Sequence, residues 1–229
     1  YKLLEENDYQ IDIEEVESLI TDRTKMMVIV SPSNPTGGVL TRDNLEAVSR
    51  LAAKHDLLVL SDEIYEKLVY DESRPHISIA SFPGMKERTL LLNGLSKSMA
   101  MTGWRVGYIA APAELLEPIN RLCFYMTAGS TSFVQYAAAI ALRHQDGSVE
   151  KMRREFRKWR DYLVREINSM KHFSCAVPKG AFYVFMNIKR SGMDPSEFCE
   201  YVLGRYGLAL VPGEAFGESG RGFVRMSYA

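Results

Sequence analysis

Residues 91–109 read LLNGLSKSMAMTGWRVGYI, an apolar run that ends in Asn93 and Gly94 and then presents Lys97 between two serines. An amine forms an imine only when unprotonated, so a reactive lysine needs desolvation or a nearby cation. Gly94, Ser96, Ser98 and Ala100 are small and leave room for a ligand beside Lys97. Arg105 adds a fixed cation whose planar fork suits a phosphate. The plainer alternative is a pair of solvated loop cations. Asp62 follows the run LLVLS and opens DEIYEKLVY. A carboxylate there either caps a helix or, open to a cleft, keeps a heterocyclic nitrogen protonated. Tyr65 falls on the same side if a helical turn starts at Asp62, and offers a phenol to a ring oxygen. Asn34 lies in SNPTGG, held extended by the proline after it, with Thr36, Gly37 and Gly38 forming a tight turn. Arg225, in FVRMSY, shares a strand face with Phe223 and Ser227. An arginine in so apolar a strand needs a partner, either an internal Asp or Glu or the carboxylate of a ligand.

The elements that must position these groups are legible as alternating patterns. QIDIEEVESLI reads as a short helix capped by Asp12, with Glu15 completing a capping box and Val16, Leu19 and Ile20 on one face. KMMVIV (25–30) is a continuous apolar run suited to a strand buried on both faces. A helix capped by Thr41 follows, with Leu45, Val48 and Leu51 inward, then strands at 57–61 and 89–93 and a fourth at 105–110. Strands alternating with helices predict an α/β fold, a mostly parallel sheet with helices on both faces. Function in such sheets collects at the carboxyl ends of the strands, which is where Asn34, Asp62 and Lys97 fall. From Ser148 the texture changes to one long charged amphipathic helix, followed by a strand (AFYVFMNI), a helix (DPSEFCEYVLGRY) and strands at LALVP and GFVRMSY. This predicts two domains, 1–147 and a smaller α+β unit at 148–229.

Composition narrows the function classes. The 229 residues are 46% hydrophobic with a net charge of −1, enough for a substantial core and without the basic stripe of a nucleic-acid binder. No apolar run reaches the roughly 18 residues of a spanning helix. Cys123, Cys175 and Cys199 are three and far apart, which fits reduced cytosolic thiols rather than a disulfide framework or zinc site. His55, His76, His144 and His172 show no ligand spacing, so no metal is expected.

The blocks SPSNPTGGVL, SDEIYEKLVYD, NGLSKSMAMTGWRVGY, PKGAFYVF and FVRMSYA, in that order and spacing, resemble the class I/II aminotransferases of fold type I, which use pyridoxal 5′-phosphate. The likeness covers essentially the whole chain, and TGWRVGY looks most like the branch holding prokaryotic aspartate and aromatic aminotransferases. It implies that Lys97 is the Schiff-base lysine and proton shuttle, and that Asp62 pairs with the pyridinium nitrogen. It implies Asn34 and Tyr65 on the ring hydroxyl, and Arg105 with Ser96 on the phosphate. It further implies Arg225, with Asn34, on the substrate carboxylate, and Gly180 beside the substrate channel. Amino acid and 2-oxo acid substrates, a homodimer, a cytoplasmic location and a cis Asn34–Pro35 bond are implied in the same way, with no nucleic-acid or membrane partner.

The family's proteins are much longer. The likeness therefore implies a truncated large domain without its first strands, its Gly-rich phosphate loop and its ring-stacking aromatic, and a small domain without its last helix. Such a piece is expected to be inactive alone. Gly94 stands where relatives often carry Ser, which removes one phosphate hydroxyl. Two other readings share the residues: a lyase or synthase of the same fold, such as a carbon–sulfur lyase, and the aminotransferase-like sensor domain of a transcription regulator. Sensor domains usually lose the NPTG wording, which is intact here.

Overall fold

The computed structural model describes residues 1–144 and 146–229. Its first sheet has the order β1 (Met26–Val30), β2 (Leu58–Asp62), β3 (Thr89–Gly94), β4 (Gly107–Ala110). The pairs β1–β2 and β2–β3 are parallel, so their carboxyl ends share one edge, and Val30 and Leu92 both stand opposite Asp62. β4 runs antiparallel to β3 and starts at Gly107, two residues later than the apolar pattern predicts. The segment before it is a left-handed turn at Arg105 (φ 51°), so Arg105 belongs to the turn and not to the strand.

Helices α1 (Ile13–Leu19) and α2 (Arg42–Lys54) cover one face of this sheet. Thr41 caps α2 through Asn44 N, and Leu45, Val48, Leu51 and Ala52 meet Met27, Ile29 and Val59 in the first core. Asp12 caps α1, but Glu15 does not close the expected box; its carboxylate accepts from Lys2 N instead. Leu19 is exposed, because α1 is too short to press its second turn onto α2. β1 is buried on one face only. Met27 and Ile29 point into the core while Val28 is 50% exposed, since no helix lies over that side of the strand. An apolar run records what a strand avoids in water, not which of its faces finds a cover. The Tyr1 hydroxyl donates to Val28 O at this outer strand (2.8 Å).

A second, antiparallel sheet has the order β5 (Tyr183–Asn187), β7 (Phe223–Ser227), β6 (Val211–Pro212). LALVP contributes only its last two residues to β6. The long helix α6 (Ser148–Ser169) and α7 (Pro195–Tyr206), the latter capped by Asp194, pack on it around Val164, Ile167, Val184, Phe198 and Val224. Between the two sheets lies a smaller cluster of Tyr65, Leu68, Ala181 and Tyr183. α3 is a single turn, Leu95–Ser98, while α4 (Ala113–Thr127) and α5 (Ser132–Arg143) leave Phe124, Tyr125, Met126, Phe133 and Tyr136 at least 65% exposed. No helix among the described residues is long and apolar enough to cross a membrane.

Several tyrosines are buried in these cores. Burial pushes the Tyr70 phenol up to about 12, and raises Tyr9, Tyr65 and Tyr228 further. A phenol in an unfolded chain ionises near 10. These groups therefore contribute stability that is complete below about pH 10 and is lost as the pH rises toward the folded values. Chemical-denaturation midpoints are expected to be flat from about pH 8 to 9.5 and to fall steeply above pH 10, with tyrosine absorbance rising in step with unfolding.

Candidate active site

Three loops leave the carboxyl edge of the first sheet side by side. The one after β1, Ser31–Gly38, is held by Ser33 N to Gly38 O (2.8 Å), Gly37 N to Ser33 O (2.9 Å) and Gly38 N to Thr36 Oγ1 (3.1 Å). Gly37 sits at φ 69°, a conformation that favours glycine, and the Ser31–Pro32 and Asn34–Pro35 bonds are both cis. The Gly37 carbonyl accepts from Lys179 N (2.8 Å) and Gly180 N (2.9 Å), which brings the segment before β5 against this loop. A Cβ on Gly180 would lie 2.6 Å from Pro32 Cβ and 3.0 Å from Leu68 O, so only glycine permits that approach.

At the end of β2, Asp62 accepts from Ile64 N through Oδ1 (3.1 Å), a turn cap rather than a helix cap, and its other oxygen has no partner among the described residues. The next residue, Glu63, was not singled out by its sequence and is 2% exposed. Its carboxylate accepts from Ser61 Oγ (2.9 Å) and Ser78 Oγ (2.8 Å) and contacts His76 Nε2 (2.8 Å). With three partners on its two oxygens, Glu63 helps to hold the backbone on which Asp62 is carried. A second acidic residue beside the strand-ending Asp62 was the only sequence signal for it.

β3 delivers Lys97 through the single turn of α3. Its ammonium lies 6.0 Å from the Tyr65 ring centroid and 5.7 Å from that of Phe182, with no hydrogen-bond or ion-pair partner among the described residues. Gly94, at the root of this turn, faces Gly107; a Cβ there would stand 3.0 Å from Gly107 Cα, so a larger residue requires the two strands to part by a few tenths of an ångström. Ser96 is half-buried beside Lys97. Arg105 is exposed and donates to Thr102 O (2.9 Å). It lines a hollow with Ala100, Trp104 and Ser130, and Asp62 lines a neighbouring hollow with Asn93; Thr127, Gly129 and Ser130 border both. Lys97 and Asp62 thus follow neighbouring strands at one edge of the sheet, and Arg105 lines a separate hollow that shares Thr127, Gly129 and Ser130 with the one lined by Asp62.

The second sheet completes the group. Arg225 Nη1 donates to Asn34 Oδ1 (2.9 Å), joining residues 191 apart in sequence. Its guanidinium lies 4.6 Å from the Tyr183 ring centroid and 5.0 Å from that of Phe216. Its Nε is buried without a partner, and no Asp or Glu among the described residues pairs with it. The internal carboxylate weighed from sequence is therefore absent, and an aromatic cage takes its place. A half-buried cation with donors to spare is a receptor for a planar anion. Tyr65 Oη meets Tyr183 Oη at 2.9 Å, with either hydroxyl able to donate, and burial chiefly raises the Tyr65 phenol above its usual range.

A sheet of this topology with these loops is the fold type I of aminotransferases. The aromatic aminotransferase of Pyrococcus horikoshii superimposes with a TM-score of 0.94 at 43% identity, over 98% of this chain and 60% of that one. An aspartate aminotransferase of Thermus thermophilus with maleate gives 0.91 at 38%, over 98% and 58%. The family model for aminotransferase class I and II matches residues 1–229, and the chain belongs to that family. An aspartate aminotransferase of Pyrococcus abyssi and an aromatic-amino-acid aminotransferase of Thermococcus litoralis are each 44% identical over 98% of this chain; it spans 58% of their length.

The Gly180 contact gives a direct check on how the loops are held. Gly180→Ala should lower stability by about 1–3 kcal/mol, since backbone and Pro32 must both move. A urea titration measures the loss, with the midpoint shifting at unchanged slope.

Proposed function

We propose that the protein is a pyridoxal 5′-phosphate-dependent aminotransferase that moves an amino group between an amino acid and a 2-oxo acid. The observation that carries this reading is Lys97. It is an amine without a partner, beside Tyr65 and at the strand edge that also presents the free oxygen of Asp62.

The residues present fit that cofactor by the chemistry of their donors. Lys97 would hold it covalently, Asp62 would keep its ring nitrogen protonated, and Tyr65 with Asn34 would address its ring hydroxyl. Arg105, with Ser96, would take its phosphate; the hollow that Arg105 lines shares Thr127, Gly129 and Ser130 with the one that Asp62 lines. When bound, the cofactor supplies a protonated ring that accepts the electron pair left as a substrate Cα–H bond breaks. The chain supplies the rest. Arg225 and Asn34 would fix the substrate carboxylate, and the Lys97 amine, free once the substrate's own amine has taken its place on the cofactor, would take the proton from the substrate Cα and deliver it to the cofactor carbon that keeps the amino nitrogen. The Tyr65 and Phe182 rings lie on the apolar side of the amine, at 6.0 and 5.7 Å from it to their centroids.

The same reading includes the division into a large domain (1–147) and a small one (148–229), a cytoplasmic location and a homodimer. The large apolar residues that α4 and α5 leave exposed support association, because clustered exposed apolar side chains mark surfaces that another chain covers.

Incubation with pyridoxal 5′-phosphate followed by borohydride should label Lys97 ahead of the exposed Lys158, as read by peptide mass mapping. Equal labelling of both would remove the proposal. Lys97→Ala should abolish that label; in a chain extended to the length of the relatives, where amino exchange is expected, it should lower that exchange by at least about 10²–10⁴-fold, the share of general acid–base catalysis alone. Sedimentation equilibrium is expected to give a dimer, and Phe133→Glu with Tyr136→Glu a monomer that retains its circular dichroism.

A further inference from the structure

We propose that Tyr183 is a positioning residue that couples Tyr65, on the cofactor side, to Arg225, on the carboxylate side. The inference rests on the aminotransferase reading for the identity of the two sides, and on geometry for the coupling.

Tyr183 is the first residue of β5. In the β5–β7 ladder Phe185 stands opposite Arg225, so Tyr183 is its diagonal neighbour on the same face. The aromatic ring of Tyr183 carries the Arg225 guanidinium at 4.6 Å, and its hydroxyl reaches Tyr65 Oη at 2.9 Å. Both tyrosines are buried, at 4% and 6% exposure, and their rings meet edge to face at 5.8 Å and 82°. One side chain thus touches the groups assigned to opposite ends of the reacting molecule.

A phenol has one proton to donate and lone pairs to accept with. If Tyr65 donates to Tyr183, its proton is spent there and cannot serve a ligand. If Tyr183 donates to Tyr65, the Tyr65 proton is free for an oxygen beside Lys97. The cation over the Tyr183 ring favours the second arrangement, because positive charge near a phenol strengthens it as a donor. A carboxylate bound at Arg225 offsets that charge and weakens the donation. Tyr65 therefore registers the arrival of substrate at Arg225 without touching it. A tyrosine that only filled space would transmit nothing through its hydroxyl.

The test uses the chain with ¹³Cζ-labelled tyrosine and 2-oxoglutarate as the probe, followed by NMR. Addition of 2-oxoglutarate should move the Arg225 Nε resonance and the Tyr183 and Tyr65 ¹³Cζ resonances together. Tyr183→Phe keeps the ring and its packing. It should leave the Arg225 response intact and abolish the Tyr65 response. Tyr65→Phe, as a second variant, should leave the Tyr183 response unchanged. A Tyr65 response that persists in Tyr183→Phe, or that is missing in the parent chain while Arg225 responds, overturns the coupling and leaves the aminotransferase reading standing. An Arg225 resonance unmoved by 2-oxoglutarate removes the carboxylate assignment and the coupling with it. Failure of the Lys97 label marks the loss of the cofactor reading separately.

Discussion

The Gly37 carbonyl, accepting from both Lys179 N and Gly180 N, is the contact on which the site depends. Two backbone donors on one oxygen fix the segment that leads into β5 against the loop that follows β1. Leu68 O and Tyr70 N grip the other edge of that segment through Ala181 N and Lys179 O. Each such bond contributes about 0.5–1.5 kcal/mol net, but leaving a buried one unmade costs more. Side chains could not do the same work, because the approach requires the absence of a Cβ at Gly180 and a left-handed backbone at Gly37. Once this seam is closed, Arg225 reaches Asn34 and Tyr183 reaches Tyr65. Neither pair would meet if the sheets were joined by apolar packing alone, which fixes distance but not register.

Much of this was legible in the chain. The strands appeared as apolar runs of the right length, and the residues at their carboxyl ends were those with chemistry to offer. Lys97, Asp62, Asn34 and Arg225 could each be picked out by type and local setting. Their pairing could not, because hydrogen bonds across 191 residues leave no local trace. Tyr183 was hidden for a related reason. A tyrosine in an apolar strand looks like core until the hydroxyl's partner is known. Val28 shows the opposite failure, since its apolar neighbours suggested a cover that the fold does not provide. The direction of β4 was likewise silent in sequence, being set by the turn at Arg105 and not by the strand's own residues.

Two basic side chains, Lys97 and Arg225, stand without acidic partners among the described residues, in a setting where stability alone would supply them. Arg225 is stabilised by two aromatic faces, which tolerate a cation without neutralising it. An acidic side chain in that place would hold the guanidinium more firmly and would compete with any anionic ligand. By contrast Glu63, more deeply buried, is engaged by Ser61, Ser78 and His76 within the protein. The division of labour at the end of β2 is therefore between adjacent carboxylates, one sealed to hold the main chain and one left half-engaged to act.

The bond from the Tyr1 hydroxyl to the Val28 carbonyl has a consequence for how β1 meets other chains. An outermost strand offers free carbonyls as a template on which a foreign strand can add. With one acceptor in the middle of that row already taken, a newcomer must first evict an aromatic side chain before its own ladder can run through. Among the described residues the phenol thus interrupts the row of acceptors at its middle, so a ladder could run along β1 only after that bond had opened.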